Sequence, residues 1–175
     1  MFLKPLDEPL EDEEGDAPEL LRVWKHEQAG WTCVKTVPDT GAEASVCPAE
    51  MASGYTVQET RASREGREFT SASGDPLKNL GELRVPMQPD EGHWSGQRWQ
   101  VAEGLTRPLL SVTQECDQGN IVVFGPSGGA ILAIDGSSVR HFQRVGGTYE
   151  LEMWLPPADL MRKIASSSGF PRPGM

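Results

Sequence analysis

The sequence predicts a mainly β protein, and three observations carry that prediction. Glycine and proline are abundant, with 19 Gly and 14 Pro in 175 residues, as in a turn-rich chain rather than a helical bundle. Apolar residues come in short runs, such as Ile121-Val122-Val123-Phe124 and Ala130 to Ile134, of strand rather than helix length. Turn signals fall between those runs: Ser73-Gly74-Asp75-Pro76, Asp135-Gly136 and Gly146-Gly147.

Taken in order, residues 1–20 read as an acidic, disordered tail, 21–155 as one domain, and 156–175 as a Pro/Ser/Gly-rich linker or tail. Leu20 to Glu27 has the pattern of a short helical turn leading in. From Gly30 the pattern is β, with Trp31, Cys33 and Val37 alternating with polar neighbours. Val46-Cys47 and Tyr55-Thr56-Val57 predict two further extended pieces. Residues 67–72 and 77–87 flank the Gly-Asp-Pro turn and predict a hairpin. Trp99 and Val101 alternate with Gln100 and Ala102 as a strand does. Val112 to Gln118 suits two helical turns, with Gly119 as the stop. Ile121 to Phe124 reads as a buried strand and Ala130 to Ile134 as the next. Asp135-Gly136 turns the chain into Val139–Gln143, and Gly146-Gly147 precedes a last strand, Tyr149 to Leu155. That last strand serves equally well in a core or at a dimer contact. Residues 158–165 predict a short helix.

The charge is uneven. Residues 1–19 hold eight acids and one lysine (−7), and the remainder holds 18 acids against 15 basic residues (−3), which together make the net −10. A near-neutral body with an acidic tail lacks the clustered Lys and Arg that phosphate contacts need, so nucleic-acid binding is not expected. No apolar run approaches the ~20 residues of a membrane span. The N-terminus is too acidic for a signal peptide, so the expected compartment is intracellular, in the cytoplasm. Cys33, Cys47 and Cys116 are far apart, and His26, His93 and His141 have no ligand spacing to them. No metal site is expected, and the cysteines read as reduced thiols.

The stretch with chemical content is WTCVKTVPDTGAEASVCP. Asp39-Thr40-Gly41 puts a carboxylate on a tight turn between two extended runs, as an aspartic peptidase requires. Gly41 allows the backbone to pass close to that carboxylate without a Cβ clash. Thr40 offers a hydroxyl to tie the loop down. The same tripeptide also serves as an ordinary turn, which leaves an unrelated β domain as one reading. A Ser-His-Asp hydrolase has no nucleophile-elbow motif here.

The order DTGAEASVCP, then FTSASGDPLKNLGELRV, then PLLSVTQ and GNIVVF resembles a retropepsin-like aspartic peptidase over roughly residues 30–155. RPLLSVTQECDQGNIVVF is most similar to the protease region of copia-type retrotransposon polyproteins, and RVGGTYELEMWLP to the stretch after it. The resemblance implies a closed β-barrel, an acid-protease half-lobe with one short helix on its C-terminal side and a flap hairpin. It implies Asp39 as the catalytic carboxylate, with Thr40 and Gly41 supporting the active-site loop. It implies Ala42, Glu43 and the flap residues Ser73, Gly74 and Asp75 as substrate contacts. It implies Leu109, Leu110 and Ser111 as the second active-site strand. Pro38 departs from the family, which carries an apolar residue with a free N–H there; Ser111 stands where many members have Gly. The chemistry needs two carboxylates and the chain has a single Asp-Thr-Gly, so the resemblance implies a homodimer with an Asp39 dyad. It implies no cofactor and a peptide or polyprotein substrate. The alternative within the family is a catalytically inactive module that dimerises or binds peptide.

Overall fold

The computed structural model describes residues 29–89 and 95–167. The expected acidic tail, the Leu20–Glu27 turn, His93 and the final residues of the expected linker lie outside the described residues. The chain is mainly β: β1 (Thr32–Asp39), β2 (Val46–Pro48), β3 (Glu68–Thr70), β4 (Pro76–Pro89), β5 (Ser95–Ala102), β6 (Leu109–Ser111), β7 (Asn120–Phe124), β8 (Gly128–Ala133), β9 (Val139–Val145) and β10 (Thr148–Leu155). Among the described residues a 3-10 turn (Ala49–Ala52) and three short α-helices accompany them: α1 (Arg61–Arg64), α2 (Val112–Asp117) and α3 (Ala158–Ser167). No helix among the described residues is long and apolar enough to cross a membrane.

The strands hydrogen-bond in the order β3-β4-β5-β2-β6-β1-β10-β9-β8-β7. The far end of β4 also pairs with β10, Met153 opposite Pro89 and Trp154 opposite Gln88. Six strands from β4 to β10 thus bend into a ring, closed over those two residue pairs. Each ring strand sends apolar side chains inward: Leu83, Val85 and Met87 from β4, Trp99 and Val101 from β5, Cys47 from β2, Leu110 from β6, Val34 from β1, Leu151 and Met153 from β10. Burying a side chain of this size contributes about 1.5–3 kcal/mol, so the ring is the main source of stability. Burial pushes the Cys47 thiol up from 9.0 to about 12. Its thiolate is therefore disfavoured in the fold, and the stability this group contributes is lost as pH rises through 9 toward 12.

Three details differ from the sequence-based expectation. The inward residues of β1 are Val34, Thr36 and Pro38, not Trp31, Cys33 and Val37. Thr36 is tolerated there because its Oγ1 donates to the Leu151 carbonyl at 3.1 Å, which satisfies the buried hydroxyl. Tyr55–Val57 is not a strand. The chain meets β4 instead through one bridge, Gln58 opposite Glu82. That bridge lies over a β-bulge where Gly81 has φ +127° and a Cβ would sit 2.3 Å from the Gln58 carbonyl oxygen, so only glycine fits. The strand Ile121–Phe124 exists but is not buried: Ile121 is 50% exposed and Val123 48%. Of the two readings open for Tyr149–Leu155, the structure shows the interior one, since β9 takes its first half and β1 and β4 take its second.

Past Leu155 the chain remains ordered. Pro156 is fully buried, its carbonyl accepts from the Tyr55 hydroxyl at 2.5 Å, and α3 extends to Ser167.

Candidate active site

Asp39 is the last residue of β1, and β6 runs parallel beside it with Asp39 opposite Ser111. On its other side β6 meets β2 through Leu109 and Val46. The second apolar strand, Leu109-Leu110-Ser111, therefore lies between the two strands that the Asp39–Ser45 loop connects. This threading brings residues 72 positions apart in sequence, such as Asp39 and Ser111, to about the parallel strand spacing of ~4.8 Å.

Pro38 fits for a geometric reason. Successive N–H groups in a strand point to opposite edges. The Val37 N–H donates to the Pro108 carbonyl at 3.0 Å on the β6 side, so the nitrogen of Pro38 faces the β10 side. Pairing with β10 ends at Thr36. The missing donor therefore falls where the ladder has already stopped.

The Gly41 N–H donates to Asp39 Oδ1 at 2.7 Å. A Cβ on Gly41 would lie 3.3 Å from the same oxygen, so a side chain would crowd the carboxylate it now orients. Oδ2 accepts no hydrogen bond from within the described residues and is free for a water, a substrate or a second carboxyl group. Thr40 is exposed at the turn, and no hydrogen bond among the described residues engages its hydroxyl. Ala42 is half-buried and Glu43 exposed.

Ser111 holds the loop from below. Its Oγ donates to the Ala42 carbonyl at 2.6 Å and accepts from the Gln114 N–H at 3.2 Å, which caps α2. Its own N–H donates to Ser45 Oγ at 3.0 Å, and the Ser45 N–H donates to Gln114 Oε1 at 3.0 Å. A glycine at this position would supply neither the cap nor the tie. Ser111→Ala is expected to lose both hydroxyl bonds, lowering the unfolding free energy by about 1–2 kcal/mol as for a lost N-cap. Denaturant titration with an unchanged slope checks it; an unaltered midpoint would show that the tie carries no energy.

Ser73, Gly74 and Asp75 sit at the exposed tip between β3 and β4. The Ser71 N–H donates to the Asp75 carbonyl at 2.9 Å, the Gly74 N–H to the Ser71 carbonyl at 2.9 Å, and Ser73 Oγ to Asp75 Oδ2 at 2.6 Å. Gly74 has φ +90°, which closes the turn. The tip is thus a self-contained hairpin end. Among the described residues no hydrogen bond joins it to residues 39–45, whereas strand pairing and hydrogen bonds link Asp39, Gly41, Ala42 and Ser111.

A polar cleft of about 290 Å³ opens beside Ser45, lined by Gln97, Arg98, Gln114 and Gln118, and does not include Asp39. Sequence reasoning missed the charged pair behind α2. Glu115, 3% exposed, accepts from both terminal nitrogens of Arg140, 7% exposed, on β9, and from Asn120 Nδ2 at 2.6 Å. The available signal was a glutamate on the inner side of the α2 pattern; its partner, distant in the chain, gave none. Among the described residues no group of three or more His, Cys, Asp or Glu could hold a metal ion. Comparison of the chain with protein-family models, curated proteins and solved structures finds no match.

Proposed function

We propose that this chain is a homodimeric aspartic endopeptidase of retropepsin-like architecture that cleaves peptide bonds in a polyprotein substrate. The observation that carries the reading is the Asp39 carboxylate, oriented by the Gly41 N–H at the end of β1 with one oxygen left open, above a second strand threaded between β1 and β2. The partial ring of strands and the exposed β3–β4 hairpin support it. In the dimer, Asp39 and the partner's Asp39 share one proton, because two like charges at such short range do not both ionise readily. The ionised member takes a proton from water as the water oxygen bonds to the scissile carbonyl carbon. The protonated member gives its proton to the carbonyl oxygen. Collapse of the tetrahedral species breaks the C–N bond as the amine takes up a proton. The exposed Thr40 hydroxyl stands ready to bond across the two-fold axis, and the 71–75 hairpin closes over the substrate.

Only the dimer has two carboxylates, so specific activity on a peptide substrate is expected to fall on dilution as monomer forms. The rate is expected to decline on both sides of an optimum below neutral pH, since only the singly protonated pair is competent. A dilution series with mass measured by light scattering at each point checks this. A monomer with full activity per chain would overturn the shared dyad.

A further inference from the structure

On the outward face of β4 and β5, Arg84 stands directly opposite Arg98. Like charges in that register repel unless a counter-charge lies between them. Glu82 supplies it: Oε1 accepts from Arg84 Nε at 2.6 Å, and Oε2 lies 3.3 Å from Arg98 Nε. Gln100 Nε2 donates to the same Oε2 at 3.3 Å. The Glu82 side chain is 11% exposed, those of Arg84 and Arg98 67% and 58%. One carboxylate thus holds two guanidinium groups by their inner nitrogens. No hydrogen bond among the described residues engages their terminal nitrogens, and the trio keeps one unit of positive charge.

A groove runs beside this pair. The next outward pair on the two strands is Pro86 opposite Gly96, where a Cβ on Gly96 would meet nothing within 4 Å. A concavity of about 390 Å³ is lined by these two residues and both arginines. It shares Gly96, Gln97 and Arg98 with the polar cleft beside Ser45. Asp117 lines that cleft but not the concavity, so an anion is favoured at the Arg84 half. An apolar floor next to two outward guanidinium forks suits the carboxylates of an acidic peptide.

We propose that residues 7–16 of this same chain occupy the groove. They read DEPLEDEEGD, seven acids and no base. Pro9-Leu10, with acids on both sides, offers an apolar pair to the Pro86–Gly96 floor. Position agrees with charge. Thr32, the first residue of β1, pairs with Leu155, and the adjacent Trp154 pairs with Gln88 of β4. Two strand spacings across and a few residues along β4 put Arg84 roughly 15 Å from Thr32. Residues 17–31 extend at most about 50 Å, so they span that distance with slack. A tether of this length presents the acids to the arginines at an effective concentration on the order of millimolar. This contact holds whether or not the chain is a peptidase.

The test uses the full chain. Asp→Asn and Glu→Gln at all seven acids of 7–16 should vacate the groove. A fluorescein-labelled peptide of residues 5–18 should then bind, by anisotropy, at least about tenfold more tightly than it binds the wild type, whose own segment competes. Adding Arg84→Glu and Arg98→Glu should abolish that binding with an unchanged circular dichroism spectrum; should the Glu pair disturb the fold, Arg84→Gln with Arg98→Gln takes its place. Arg84→Lys in the otherwise wild-type chain supplies an amine to a zero-length carbodiimide cross-linker. Mass spectrometry should join position 84 to acids in 7–16 more often than Lys35 or Lys78, and about 0.5 M salt should weaken the link. A neutralised chain that binds the peptide no better than wild type overturns the proposal, as do cross-links from position 84 to Glu82 alone. Links shared equally with Lys35 and Lys78 show diffuse attraction and overturn it too. Links formed only between isotope-labelled and unlabelled chains put the segment of another copy in the groove and overturn the contact within one chain.

Discussion

Asp39→Asn is expected to abolish peptide cleavage, by at least about 10³-fold in turnover, while the fold and the dimer persist. An amide neither shares the proton nor takes one from water. Its Oδ1 still accepts from the Gly41 N–H, which now spans 2.7 Å, so the turn keeps its shape. Asp39 is at the surface end of β1, outside the ring core, so no packing is lost. Cleavage of a polyprotein-derived peptide, read beside circular dichroism and sedimentation, separates chemistry from structure. A folded, dimeric Asn variant that still cleaves would remove the aspartic-peptidase reading altogether.

Arg140→Ala is expected to cost about 3–5 kcal/mol of unfolding free energy, because it strands the Glu115 carboxylate in a site that excludes water. Asn120 remains as a neutral donor and does not replace the charge. At 2–4 °C per kcal/mol for a chain of this size, the melting temperature should fall by roughly 10 °C. Replacing both partners, Glu115→Leu with Arg140→Met, should recover most of that loss, since well-packed apolar groups dispense with the desolvation of two ions. Should the single variant melt like the parent, water reaches the pair and α2 is not anchored to β9 through it. The consequence reaches the site, because α2 begins at Ser111 and that residue holds the loop after Asp39.

Much of the fold was legible along the chain, for reasons of range. Gly119 and Gly136 stop an element at φ +86° and +75°, conformations that a single residue type announces. The α2 helix was legible from a two-turn window closed by a stop glycine, and the structure adds the Ser111 cap. The Asp39–Gly41 hydrogen bond spans two residues, so the tripeptide itself implied it. Tyr55–Val57 misled because β-prone residues predict extension without saying whether a neighbour is available; only Gln58 reaches β4. The inward face of β1 misled because a buried threonine looks polar until its acceptor, 115 residues away, is in place. Ile121–Phe124 misled in the opposite sense: a continuous apolar run suggests burial, but burial depends on what covers the second face and the edge.

By itself, then, the sequence determined the strand-rich class, the turns, the helix after Ser111, and a carboxylate set on a tight glycine turn. These rest on backbone sterics and hydrogen bonds within a few residues. Only the tertiary structure decided that Leu109–Ser111 threads between β1 and β2, that Pro38 falls where its missing N–H goes unneeded, that Glu115 meets Arg140, and that β7 ends the sheet with an open apolar edge. Each of these depends on partners far apart in the chain, and burial gives a polar group its energy only once the partner that satisfies it has arrived.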